Sequence, residues 1–149
     1  MIANEEKKST NEEVRSVPLN LNQFIGASQL SVMRTACRGE EGEHFKALIE
    51  NLKMQIASMP KTYETDGMGN DAPVTLHYFR GGSDWYIVER DIEAEQLQAF
   101  GFACLNGDHD NAEFGYINIE ELIKYGVELD LYYTPETIGQ IKDRFQKAS

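Results

Sequence analysis

Cysteine is nearly absent: the 149-residue chain holds two, Cys37 and Cys104, and neither belongs to a CxxC spacing. A disulfide framework and a cysteine-bound zinc are both excluded, so reduced, buried thiols in a reducing compartment are expected. Long apolar runs are missing as well. Nothing approaches the roughly 18 consecutive apolar residues of a membrane span. The opening MIANEEKKSTNEE lacks the apolar stretch of a leader. A soluble, cytoplasmic protein with no membrane partner is the expectation. Nucleotide chemistry lacks its signatures, since no P-loop and no G-x-G-x-x-G occurs. Ser83 sits in RGGSDW, which is not the G-x-S-x-G elbow of a serine hydrolase.

Positive charge is also scarce, with 14 Lys and Arg against 25 Asp and Glu and a net charge of -11. The imbalance is one-sided: residues 1–60 come to -1, and residues 61–149 to -10. Between Asp84 and Glu136 only Arg90 and Lys124 stand against 13 carboxylates. Proteins hold a phosphate backbone with clustered Lys and Arg, largely through counterion release, so no direct nucleic-acid binding is expected. The ordinary role of an acidic surface is solubility. Its more specific role is to steer a basic partner.

What is present is enough for one core, because a chain of 149 residues with 41% apolar content needs no staples. Residues 1–17 are polar, show no apolar periodicity, and read as a disordered tail. Residues 18–149 read as one domain with a helical part (18–60), a connecting loop (61–73) and a β-rich part (74–149). Leu19, Phe24, Ile25, Leu30, Val32 and Met33 outline an irregular first helix, with Asn20 or Asn22 as its cap. Phe45, Leu48, Ile49, Leu52, Ile56 and Met59 recur at three and four, the stripe of an amphipathic helix that stops at Pro60. From Val74, VTLHYF and WYIVERDI flank GGSD as a hairpin. QAFGFACL over 98–105, Phe114–Ile117 and VELDLYY over 127–133 supply three more strands. Asn118 caps a two-turn helix stopped by Gly126, and Thr134 with Pro135 opens a last helix bearing Ile138, Ile141 and Phe145. The fold expected is α+β, a mainly antiparallel sheet of four to five strands, with N-terminal helices and a C-terminal helix packed on one face.

The β-rich part also carries an ordered set of motifs. Trp85 and Tyr86 precede an acidic strand end, Phe100 is followed by Gly101, and Gly107 and Asp108 form a loop. Glu113, Gly115 and Tyr116 come next, then Glu120 with Leu122, and finally Asp130, Leu131, Tyr132, Thr134 and Pro135. Over residues 74–141 this succession resembles a family of small domains of unknown function carried by plasmids, integrative elements and phages. The resemblance implies a mobile-element origin and an accessory role, and it transfers no catalytic residue.

Candidate sites follow from residue chemistry. Asp108, His109, Asp110 and Glu113 form the densest group of potential metal ligands, although their spacing fits neither an EF-hand nor a zinc motif. Asp66–Asp71 poses the same choice. The expected reading of both is a hydrated turn, with no cofactor. Cys104 lies in an apolar strand and Cys37 lacks a nucleophile motif, so both read as packing residues. Aromatics crowd the β-rich part, where alternation sends half inward; the register of Tyr78 against Phe79, and of Trp85 against Tyr86, stays open. The functional expectation is a non-enzymatic accessory protein that binds a host or element-encoded protein with a basic surface, such as a nucleic-acid-binding defence enzyme. Its acidic surface would comprise Asp84, Glu89, Asp91, Glu93, Asp108, Asp110 and Glu113. The alternative is a metal-dependent hydrolase or nucleotide-modifying enzyme using the Asp108–Glu113 loop.

Overall fold

A computed structural model describes residues 20–148, and the tail expected over residues 1–17 lies outside them. In chain order the elements are helices α1 (Ala27–Ala36) and α2 (Gly42–Ser58), strands β1 (Pro73–Val74), β2 (Leu76–Arg80), β3 (Ser83–Glu89), β4 (Ala99–Cys104) and β5 (Glu113–Ile117), helix α3 (Ile119–Lys124), strands β6 (Glu128–Leu129) and β7 (Glu136–Thr137), and helix α4 (Ile138–Ala148). Five strands form one antiparallel sheet in the order β5-β4-β3-β2-β6, and β1 pairs with β7 as a separate two-stranded ladder. The protein is therefore α+β.

The hairpin forms where expected, with Arg80 opposite Ser83 and Gly81 at φ 56°, the left-handed conformation that a two-residue hairpin loop demands. The register settles which aromatics go inward. Tyr78 and Tyr86 are buried, while Phe79 and Trp85 are half-buried. Tyr78 donates its hydroxyl hydrogen to the Phe24 carbonyl, which satisfies the one polar atom of a fully buried ring. Burial pushes that phenol far above its ordinary range. Where β3 meets β4, Gly101 lies so close that a side chain there would collide with the Tyr86 carbonyl.

The helices do not share one face of the sheet, as had been expected. Leu30, Met33, Leu52, Ile56 and Ile119 pack with Leu76, Tyr78, Ile87 and Ile117 in one core. Ile138 and Ile141 of α4 pack with Val74, Tyr86, Val88 and Phe102 in a second. Successive strand residues point to opposite faces. With Tyr86, Ile87 and Val88 all buried, both faces of central β3 are apolar and each needs a cover. Full burial of Ile138 and Ile141 contributes about 1.5–3 kcal/mol per side chain to docking α4.

Two boundaries also differ from expectation. The strand foreseen over 127–133 is two residues long, because Asp130 turns the chain by accepting the Tyr132 amide on its own side chain. The last helix begins at Ile138 rather than at Pro135. Thr137 Oγ1 accepts the Gln140 amide at 3.2 Å and Gln140 Oε1 accepts the Thr137 amide at 2.8 Å, a reciprocal capping box, while Glu136 and Thr137 are occupied in β7. Among the described residues, no helix is long and apolar enough to cross a membrane.

Candidate interaction surface

The acidic residues singled out by composition divide into three groups. Glu89 and Asp91 are corrections: they are 3% and 4% exposed and cannot offer charge to a partner. Asp91 accepts the amides of Glu93 and Gln98 and fixes a turn. Asp84 is half-buried beside His77, with 2.7 Å between Oδ1 and Nε2. Glu93, Asp108, Asp110 and Glu113 are exposed. In the 108–113 loop Asp108 accepts the Asn111 side-chain amide at 2.6 Å, and His109 stacks on Phe145 with centroids 4.1 Å apart. Among the described residues no group of three or more His, Cys, Asp or Glu converges as a metal donor set.

Glu89 has another task. At the end of β3 its carboxylate accepts the Tyr63 and Thr65 amides, each at 2.8 Å, and the Thr65 hydroxyl. Charge-assisted bonds of this kind are roughly twice as strong as neutral ones. They pin the 61–66 loop against the sheet and hold Tyr63 at φ 71°, a left-handed conformation that costs a non-glycine residue about 1–2 kcal/mol. The result is presentation. Tyr63 stands 63% exposed beside Tyr116, itself 58% exposed, with the Tyr116 hydroxyl donating to Tyr63 at 3.4 Å.

Around this pair the outer strands form an aromatic surface. Phe100 stacks on Phe114 at 5.7 Å, Phe100 meets Tyr116 edge-on at 5.7 Å, and Phe102 meets Phe114 edge-on at 5.2 Å. A cleft of about 240 Å³ opens between the loop and these strands, with Thr65, Asp66 and Gly67 on one wall and Val88, Phe100 and Phe114 on the other side. Beyond Tyr63 a second cleft of about 290 Å³ combines the exposed side chains of Ile92 and Leu97 with Glu93 and Glu95. The rings already hold one cation, because the Lys142 ammonium lies 5.6 Å from the centroids of both Phe102 and Phe114. Aromatic faces, flanking carboxylates and few opposing cations suit a positively charged ligand.

The densest polar network lies on the same sheet face, toward the other edge. His77 is placed between Asp84 and Asp130, 2.7 Å and 3.1 Å away, and stacks on Tyr86 at 4.8 Å. Tyr133 donates to Glu136, which is also bonded twice by Arg144. Burial raises the Tyr133 phenol, and its bond to Glu136 raises it further. Burial pushes Glu136 upward, but the bonds from Arg144 and Tyr133 outweigh it and hold the carboxyl below its ordinary range. Among the described residues, no Ser, Thr or Cys side chain is hydrogen-bonded to His77. Cys104, opposite Asp84 across the ladder, is fully buried, and burial aided by Asp84 and Asp108 raises its thiol. Linking β2, β3, β7, α4 and the 130–133 turn, the network acts as a latch.

No protein-family model, curated protein or solved structure matches the chain. Of the features that make up this surface, sequence reasoning included Glu113 and Glu93 but missed the Tyr63 and Tyr116 pair and the role of Glu89. The acid at the close of the apolar run Tyr86–Val88 was the available signal for a buried, bonded carboxylate.

Proposed function

We propose that this chain is a non-enzymatic accessory protein that binds a basic protein partner through the aromatic and acidic surface around Tyr63, Phe114 and Tyr116. The observation that carries the reading is the outward presentation of Tyr63 and Tyr116. A buried carboxylate holds the loop in a strained conformation, and the consequence is an exposed tyrosine pair near a mainly apolar cleft bearing Asp66, with Tyr63 also lining a second cleft that carries Glu93 and Glu95. Tyrosines are recurrent anchors of protein interfaces, and an acidic rim speeds encounter with a basic surface. A protein that handles nucleic acid has such a surface. A mobile-element setting belongs to this proposal, and it rests on the motif order over residues 74–141 alone.

The alternative of a metal-dependent hydrolase on the 108–113 loop has less support, because His109 is turned onto Phe145 and Asp108 onto Asn111. The test is retention from host lysate on immobilised protein, comparing the parent with a Tyr63→Ser/Tyr116→Ser variant. The proposal expects a defined basic protein to be held at 0.15 M salt, on the order of physiological ionic strength, by the parent alone. Retention of one unselective set of basic proteins by both would contradict it.

A further inference from the structure

The outer strand of this surface is also an open sheet edge. Among the described residues β5 is terminal in the sheet order, and β4 is its one strand partner. Among the described residues, no backbone hydrogen bond outside that ladder uses an amide or carbonyl of residues 113–117. Alternate residues of an edge strand direct these groups outward, which makes a template for another chain. Natural edges are commonly blunted by Lys, Pro, a bulge or a covering segment. Residues 113–117 read Glu-Phe-Gly-Tyr-Ile, with neither Lys nor Pro, and the irregularity in the sheet lies between β3 and β4 instead. Among the described residues, nothing lies within 4 Å of where a Gly115 side chain would stand, so the sheet face beside that residue is open.

We propose that this edge takes an extended basic segment of the partner as an added strand of the sheet. The inference rests on the binding reading above and gives it a mode. Added-strand recognition draws affinity from main-chain hydrogen bonds and specificity from alternate side chains. One set of incoming side chains would run alongside Phe114 and Tyr116, beside the cleft bearing Asp66; Glu113 lies at the start of the strand and Asp108 and Asp110 in the loop before it. Charge selects the occupant. A second copy of this chain would bring another -11 to the same edge, whereas a segment with cations at alternate positions meets carboxylates.

The probe is an eight-residue peptide alternating Lys and Val, blocked at both ends, titrated into the full chain and followed by backbone amide NMR. Two modified peptides carry N-methyl groups on alternate residues, one along each edge of the extended peptide. A fourth replaces Lys with Glu. Strand addition predicts perturbed amides over 113–117, no binding of the Glu peptide, and asymmetry between the methylated pair. Methylation on the pairing edge removes two or more hydrogen bonds and weakens binding about tenfold or more; methylation on the far edge leaves affinity near that of the parent peptide. Equal binding by both methylated peptides would overturn strand addition and leave the basic-partner reading intact. Failure of the Lys peptide to bind better than the Glu peptide would overturn both. All changes are made in the peptide, so protein folding does not enter the comparison.

Discussion

The sheet has two edges, and among the described residues only one is closed from within. At β6 the strand is two residues long, and the side-chain amide of Gln29 engages both backbone groups of Leu129, donating to its carbonyl at 2.7 Å and accepting its amide at 3.0 Å. One residue of α1 thus does what a neighbouring strand would do. At β5 five residues run along the edge with no equivalent cap among the described residues, and two of their side chains, Phe114 and Tyr116, are exposed aromatics. The difference shows that this chain can close an edge with a single side chain. On the β5 side, exposure comes instead with a strained loop held by a buried carboxylate.

Breaking the support of the open edge should have the largest effect. Glu89→Ala leaves two loop amides and the Thr65 hydroxyl without their acceptor in a buried setting, so a loss of about 2–4 kcal/mol is expected in urea unfolding. Glu89→Gln should cost less and still weaken partner binding through disorder of Tyr63. Opening the closed edge comes next. Gln29→Leu strands the amide and carbonyl of Leu129, a part-buried pair, with an expected loss of about 1–3 kcal/mol, seen as a lower midpoint at unchanged m.

Acid should act through the latch beside α4. Glu136 has its folded-state pKa held below the ordinary value near 4.5, so its contribution is fully present above that value and is lost as pH falls through the lowered one. Urea midpoints of the parent should stay level down to about pH 4.5 and then fall more steeply than those of Glu136→Gln. Smaller still is the stability effect of neutralising the exposed acids. Asp108→Asn, Asp110→Asn and Glu113→Gln together should move stability by no more than about 0.5 kcal/mol per site. They should slow association with a basic partner, and the slowing should shrink as salt is added. Unfolding of that triple variant would make the loop structural.

Periodicity made the hairpin and α2 legible, because Leu76 and Tyr78 alternate with His77 and Phe79, and Leu52, Ile56 and Met59 share a helical stripe. The same reasoning misjudged the layering. Tyr86, Ile87 and Val88 form a continuous apolar run, the mark of a strand buried on both faces, yet all helices were expected on one. At the last helix, the Thr134–Pro135 signal competed with the Thr137–Gln140 box, and pairing of Glu136–Thr137 with β1 decided the start. The candidate surface was less legible. Composition marks an acid without saying whether it is buried, so Glu89 and Asp91 resembled Glu93. The left-handed Tyr63 leaves no trace in a local pattern, and strand order alone makes β5 an edge.

Amide hydrogen exchange across the two edges, with and without the Lys-Val peptide, tests the central claim most directly. In the free protein the Leu129 amide should be protected, while alternate amides of residues 113–117 exchange rapidly; the peptide should slow those β5 amides and leave Leu129 unchanged. Protection along all of β5 before any peptide is added, or β5 exchange that the bound peptide does not alter, would contradict the account.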